Sequence, residues 1–323
     1  MSQLLRLTAD ADIERVRAEL LRRGADAEML EGAAGRAVLV RDGVDVRDIP
    51  GVDSVLRSAT AHPCVDRAPA TVAVGTLEIG GQPVLMAGPC AAEDEATVER
   101  LAAGVAQAGA QVLRGGAHKP RTSPYSFRGH GDEALGWLRG AADRHGLALV
   151  TEALDVRHVG RVAELADLVQ IGSRNMHNQP LLIEAGRTGK PVLLKRGAAA
   201  TVAEWLLAAE HILDAGAPGV VLCERGIRAL PQPTRNTLDL GSVAWLLAHH
   251  SLPVIVDPSH AAGRRELIAP LCRAAWALGC HGVLVEVHDD PARAASDGAQ
   301  ALPLAELAPL AAELKALGQT RRR

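Results

Sequence analysis

Aromatic side chains are nearly absent from these 323 residues, which hold one Tyr, one Phe and four Trp, 2% of the chain. The core must therefore be assembled from Leu, Val, Ile and Ala. No apolar run approaches the ~18 residues that a membrane-spanning helix needs, so no membrane span is expected. The first ten residues, Met-Ser-Gln-Leu-Leu-Arg-Leu-Thr-Ala-Asp, lack the charged start, apolar middle and small-residue cleavage site of a signal peptide, and a cytoplasmic protein is the expectation. A net charge of −3 leaves no basic surplus for broad binding to nucleic acid. Cys64, Cys90, Cys223, Cys272 and Cys280 are odd in number and widely spread, with no Cys-x-x-Cys pair, which argues against a disulfide framework and against a zinc ribbon. A Gly-x-Gly-x-x-Gly turn is missing too.

What the chain does have is one concentrated loop, Arg114-Gly-Gly-Ala-His-Lys-Pro-Arg-Thr-Ser-Pro-Tyr-Ser-Phe-Arg128-Gly129. It gathers Arg114, Lys119, Arg121 and Arg128 with Thr122, Ser123 and Ser126, and includes the single Tyr and the single Phe. Gly115, Gly116, Pro120 and Pro124 make it a shaped loop rather than a helix. Arg, Lys and hydroxyl groups on a loop of fixed shape suit an anionic ligand such as a phosphate ester, although a basic run is often only a solvated face.

From about residue 84 onward, short apolar runs alternate with amphipathic stretches. Eight runs begin at Val84, Gln111, Leu147, Leu168, Val192, Val220, Val254 and Val283. Near-continuous Val/Leu/Ile runs suit parallel strands covered on both faces. Between and after them, helices are predicted over 94–108, 132–145, 155–165, 178–186, 201–215, 237–249, 264–279 and 303–317. Gly109, Gly146, Gly216 and Gly279 are placed to end four of these. Eight such units over about 240 residues predict a (β/α)8 TIM barrel over 84–323, with a doubly wound open sheet as the competing arrangement. Residues 1–70 follow a different rhythm: strands at Leu4 and Ala37, a helix over Asp12–Arg23, and a mixed Asp45–Ser58 interrupted by Pro50. That pattern predicts a small ferredoxin-like α+β domain. Residues 71–83 alternate around Gly75 and Gly80-Gly81, as a hairpin leading into the barrel would.

Barrel enzymes carry their chemistry at the C-terminal ends of the strands. Read in order, the predicted ends hold Cys90, Arg114 with the Lys119 loop, Glu152, Arg174, Lys195-Arg196, Glu224-Arg225, Asp257 to His260, and Glu286 with His288 beyond. Arg114, Lys119, Arg174, Lys195 and Arg225 would converge on one mouth, where like charges in a partly dry site repel unless an anion or carboxylates compensate. A small, multiply anionic ligand is therefore predicted, in preference to five separate salt bridges. Cys90, His260, Glu286 and Asp297 form a second constellation. A thiolate, an imidazole and two carboxylates could hold a divalent transition metal. Taken singly, Cys90 reads as a small core residue and His260 as a hydrogen-bonded loop group.

Nine motifs in order give a resemblance. They are Ala87-Gly-Pro-Cys90, the Arg114–Phe127 loop, Gln170-Ile-Gly-Ser-Arg-Asn175, Pro191-Val-Leu-Leu-Lys-Arg-Gly197, Leu222-Cys-Glu-Arg-Gly-Ile-Arg228, Thr234-Arg-Asn-Thr-Leu-Asp239, Val256-Asp-Pro-Ser-His260, Val285-Glu-Val-His288 and Ser296-Asp-Gly298. Together they resemble 3-deoxy-D-arabino-heptulosonate 7-phosphate (DAHP) synthase, in the form that carries a ferredoxin-like domain before its barrel. The resemblance covers 84–302; residues 1–70 match only in length and pattern. It implies condensation of phosphoenolpyruvate with erythrose 4-phosphate, with release of phosphate, as the first step of the shikimate pathway.

The resemblance further implies metal ligation by Cys90, His260, Glu286 and Asp297, phosphoenolpyruvate contacts from Arg114, Lys119, Arg174, Lys195 and Arg225, and aldose-phosphate contacts from Arg121, Thr122 and Ser123. Lys119, Glu152 and His260 take the catalytic roles: Lys119 beside the aldehyde, Glu152 orienting a water, His260 on the metal. One divalent ion (Mn, Fe, Co or Zn), a homotetramer, and feedback inhibition by Tyr or Phe through the N-terminal domain are also implied. His118 departs from the Phe or Tyr usual before the lysine. The competing functions are a 3-deoxy-D-manno-octulosonate 8-phosphate synthase, a secondary-pathway synthase using another aldose phosphate, and a catalytically silent barrel acting as scaffold or sensor. The Lys119-Pro-Arg-Thr-Ser123 loop favours the four-carbon sugar, because the octulosonate enzymes have a loop resembling Lys-Ala-Asn-Arg-Ser-Ser there.

Overall fold

The structure, a computed structural model, describes residues 2–32, 35–40, 44–46, 48–58, 60–119, 123, 125, 127–230 and 233–320. It opens with a small α+β domain of antiparallel strands. Strands β1 (Ser2–Leu7), β2 (Ala27–Gly32), β3 (Gly35–Val40) and β4 (Val52–Ser58) lie in the order β2-β3-β1-β4. The helix Ile13–Arg22 begins at Asp12, whose carboxylate accepts from Arg15 N at 3.2 Å, and lays Val16 and Leu20, four residues apart on one face, onto that sheet. Leu5, Val38, Val40, Val46 and Ile49 complete a separate core.

This sheet order and its alternating strand directions suit a split β-α-β unit, but the second helix of the ferredoxin-like expectation is not formed among the described residues. Pro50, with Asp48 at φ 64° and Gly51 at φ 90°, turns the chain before β4 instead. The sequence pattern also missed β2.

The hairpin of β5 (Val72–Val74) and β6 (Leu77–Ile79) closes the floor of the barrel. Its Val72, Val74 and Ile79 pack into the same cluster as Met86, Val112, Leu168, Leu193, Val221, Ile255 and Leu284 from the barrel interior.

The barrel strands are β7 (Val84–Gly88), β8 (Val112–Arg114), β9 (Ala148–Ala153), β10 (Leu168–Ile171), β11 (Val192–Lys195), β12 (Val220–Glu224), β13 (Val254–Val256) and β14 (Gly282–His288). Each pairs in parallel with the next, and β14 closes onto β7, with Glu286 beside Gly88. A short β15 (Leu302–Pro303) adds to the far end of β14. The outward side chains, among them Leu113, Leu149, Val169, Val192 and Val283, join the helices in the largest core cluster. Both faces are thus buried, which is why the strands read as unbroken apolar runs.

The outer helices start on side-chain caps from Asp94, Asp155, Asn178, Thr201 and Asp239. Gly109, Gly146, Gly216 and Gly279 leave four of them at φ 84°, 64°, 107° and 112°. One short helix, Pro258–Ala262, follows β13 directly and carries His260. No helix among the described residues is long and apolar enough to cross a membrane.

Candidate active site

All four proposed metal-binding side chains meet at the C-terminal end of the barrel. Cys90 follows β7, His260 rides the short helix after β13, Glu286 stands on β14, and Asp297 sits in a left-handed turn (φ 55°, ψ 27°) beyond it. One donor atom from each lies within 4.8 Å of the others. Cys90 Sγ is 3.3 Å from Asp297 Oδ2 and His260 Nε2 is 3.3 Å from Glu286 Oε1. A soft sulfur, an imidazole and two carboxylate oxygens make a donor set that fits a borderline divalent ion such as Mn, Fe, Co or Zn, with positions left open.

A supporting layer fixes these groups. Asp257 caps the short helix through His260 N (3.0 Å), and its other oxygen lies 2.7 Å from His260 Nδ1. That contact directs the Nδ1 proton to Asp257 and leaves Nε2 facing the cluster. Gln300 Nε2 donates to Glu286 Oε2, while the Ser259 hydroxyl accepts from Glu286 N at 3.0 Å. Arg114 Nη1 donates to Glu286 Oε1 (3.0 Å) and Pro89 O (2.8 Å), and Lys195 Nζ donates to Asp257 Oδ2 at 2.5 Å. Lys119 Nζ donates to Cys90 O (2.7 Å) and lies 3.0 Å from Cys90 Sγ.

Burial by itself would raise the Glu286 carboxyl, but His260, Arg114 and Lys119 outweigh it and hold it at about 2. Burial, reinforced by Glu286, pushes the Cys90 thiol up to about 12. Burial also keeps His260 below its ordinary value despite Asp257 and Glu286, so its ring stays neutral with a lone pair to offer. A cation bound among these groups would favour the thiolate form of Cys90 against that burial.

Beside the cluster opens a cavity of about 650 Å³. Seven cationic side chains line it: Arg114, Lys119, Arg174, Lys195, Arg225, Arg228 and Arg235. The carboxylates on its wall are Glu152 and Asp297. Arg225 is held below its usual value by burial, with Arg235 and Arg174 adding to the effect, and its Nε has no hydrogen-bond partner among the described residues. Such a set suits a small ligand carrying several negative charges.

Arg174 stands not at a strand end, as predicted, but on a single turn over Ser173–Asn175 just after β10. Glu152 is held by Gln170 Nε2 at 3.2 Å and lies so close to Gly172 that a Cβ there would fall 1.9 Å from its Oε1. The loop between β8 and the helix Asp132–Arg144 brings Lys119 and Ser123 to the cavity wall. Arg121 and Thr122 lie outside the described residues. Sequence reasoning missed Arg228 and Arg235 as wall residues, together with Ser259, Gln300 and Gly172 as supports. Only the position of the two arginines after β12 could have pointed to them.

A larger cavity, about 910 Å³, lies at the opposite end of the barrel between the Gly80–Pro83 turn, Gln111 and Trp276. It holds none of the constellation above.

Residues 67–322 match a family model described as the DAHP synthetase I family. The chain is 46% identical over 271 residues to a phospho-2-dehydro-3-deoxyheptonate aldolase of Thermotoga maritima, covering 82% of this chain and 80% of that one. It is also 31% identical over 274 residues to a 2-dehydro-3-deoxyphosphooctonate aldolase of Magnetococcus marinus, covering 79% and 94% of the two chains. Among solved structures, the Thermotoga maritima DAHP synthase superposes with a TM-score of 0.80 at 39% identity, over 99% of this chain and 98% of that one.

Proposed function

The chain belongs to the DAHP synthetase I family, and we propose that this enzyme joins phosphoenolpyruvate to erythrose 4-phosphate, releasing inorganic phosphate. The observation that carries this is one shared mouth, where a four-donor metal cluster borders a cavity walled by seven Arg and Lys side chains. Arg114, Arg174, Lys195 and Arg225, with Lys119, bind phosphoenolpyruvate through its carboxylate and phosphate. Arg121, Thr122 and Ser123 take the aldose phosphate.

Cys90, His260, Glu286 and Asp297 would hold a divalent ion (Mn, Fe, Co or Zn), which would supply Lewis acidity for the aldehyde. The methylene carbon of phosphoenolpyruvate then forms the new bond to the aldehyde carbon. Lys119, whose ammonium already reaches the Cys90 sulfur, delivers a proton to the oxygen that becomes a hydroxyl. Glu152, braced by Gln170, orients the water and takes its proton as the oxygen adds to the former enol carbon; the bond from that carbon to the phosphate oxygen then breaks as the new hydroxyl becomes the ketone, its proton leaving with the phosphate. The cationic wall keeps the leaving phosphate's charge balanced throughout.

Phosphate release by the metal-loaded protein, measured with phosphoenolpyruvate and each aldose phosphate in turn, tests the assignment. Turnover is expected to be fastest with erythrose 4-phosphate. Faster release with arabinose 5-phosphate would move the protein to the octulosonate branch, and no release with any aldose phosphate would leave a silent barrel. The Lys119-Pro-Arg-Thr-Ser123 loop supports the four-carbon sugar.

Family membership also supports a cytoplasmic homotetramer in which the small antiparallel domain senses Tyr or Phe. Removing residues 1–58, which keeps the helix Pro63–Arg67 and its bonds to Glu210, is then expected to abolish inhibition by these amino acids while turnover persists. Inhibition that survives the deletion would place the sensor elsewhere.

A further inference from the structure

Away from the barrel mouth, the described residues bring a second metal-competent group together, His62, Asp66 and His250. Each can offer one donor atom, and these atoms lie within 4.8 Å of one another. None of the three lines the cavity beside Cys90. His62 directly precedes the helix Pro63–Arg67 and Asp66 follows one turn later, a spacing that sets both on one face. His250 comes from a different part of the fold, at the end of the helix Leu240–His249.

The two segments are fixed relative to each other. The Glu210 carboxylate accepts from Cys64 N and Val65 N, both at 2.9 Å, and the Ser251 hydroxyl donates to Ala68 O at 2.8 Å. Within the group, Thr60 Oγ1 is 2.8 Å from His62 Nδ1 and donates to Asp66 Oδ2 at 2.7 Å. Asp66 Oδ1 is 3.1 Å from the same ring nitrogen. The His62 and His250 rings approach edge to face, with centroids 5.4 Å apart. An open cavity of about 420 Å³, lined in part by His62, Leu206 and Trp245, gives solvent access and room for water ligands.

An ion pair between His62 and Asp66, supported by Thr60, needs no second imidazole. The convergence of His250 on the pair is what goes beyond it. We propose that His62, Asp66 and His250 bind a divalent transition-metal ion that clips the segment leaving the small domain to the helical layer of the barrel. Two imidazoles and one carboxylate select Zn2+, Ni2+ or Cu2+ over Mg2+ or Ca2+. Small side-chain rotations would bring the three donors to the ~2.0–2.2 Å that such bonds require.

The test uses the full-length chain, stripped with chelator and dialysed against Zn2+, with bound metal measured by mass spectrometry. Wild type is expected to hold two ions per chain, and the His250→Ala variant and the His62→Ala/His250→Ala double variant one each. Far-UV circular dichroism checks that each variant is folded. In the Cys90→Ala background, Ni2+ should quench tryptophan emission, because Trp245 lies 5.3 Å from the His250 ring, and His62→Ala should remove that quenching. Equal metal content in wild type and in the His62→Ala/His250→Ala double variant would overturn the proposal. Cys90, His260, Glu286 and Asp297 are the same in both proteins, so this site and the proposed reaction fail separately.

Discussion

Changing Cys90 to alanine is expected to lower metal-dependent turnover at least ~100-fold, because the metal's several kcal/mol of charge stabilisation at the aldehyde oxygen are lost with its one soft ligand. The fold should survive. Cys90 is only 4% exposed, but its side chain is small and its sulfur carries no buried charge in the metal-free protein. Removing it leaves Asp297 with Arg235 at 3.6 Å and leaves Lys119 bonded to a backbone carbonyl, so no charge is orphaned. Metal content at the mouth, turnover and thermal stability should therefore separate: the first two fall together and the third changes little. A Cys90→Ala enzyme with near-normal turnover and metal affinity would reduce this residue to packing and remove the sulfur from the site.

The two halves of the mouth differ in how their charges are balanced, and that difference matches their proposed tasks. On the metal side the cations are already committed: Arg114 to Glu286 and Lys195 to Asp257, in pairs that are almost wholly buried. Such pairs contribute little net stability but fix geometry, since losing one partner strands the other. On the opposite side the Arg225 Nε has no hydrogen-bond partner among the described residues, and burial, Arg235 and Arg174 together outweigh the attraction of Asp257 for the same guanidinium. Phosphate and carboxylate groups of a substrate would supply the missing anions.

How much of this was legible beforehand follows from what each feature depends on. The eight barrel strands were visible because both of their faces are buried, so local composition alone betrays them. Gly109, Gly146, Gly216 and Gly279 marked helix ends because each needs a positive φ. Cys90, Glu286 and Lys195 were found by asking what stands at strand tips. By contrast, Ala27–Gly32 mixes two glutamates with Ala and Gly and becomes a strand only through pairing with β3. Ser259 and Gln300 act through Glu286, and Asp257 holds Lys195 as well as its neighbour His260; the long-range pairings are ones that no periodicity records. Gly172 is required by the Glu152 carboxylate packed against it, and that contact exists only once β9 and β10 are side by side.

Asp257 is the residue whose loss should be felt in both stability and chemistry. It is fully buried, and one oxygen takes both Lys195 Nζ (2.5 Å) and His260 Nδ1 (2.7 Å). Burial would raise its carboxyl, yet His260 and Lys195 outweigh that and hold it well below the usual carboxylate range. Asp257→Asn keeps the shape and removes the charge. The ammonium of Lys195, itself only 4% exposed, is then left without its counter-ion. Breaking a buried pair this way costs about 3–5 kcal/mol, which should lower the melting temperature by on the order of 10 °C. At the same time the His260 ring loses the carboxylate that orients it, and metal affinity should fall about 10- to 100-fold. A second change separates the two effects: Lys195→Met in the Asp257→Asn background removes the stranded charge and should recover most of the stability, while turnover should stay low because Lys195 lines the cavity proposed to bind phosphoenolpyruvate. If Asp257→Asn melts within a degree or two of wild type and binds metal equally well, Asp257 neither neutralises Lys195 nor orients His260.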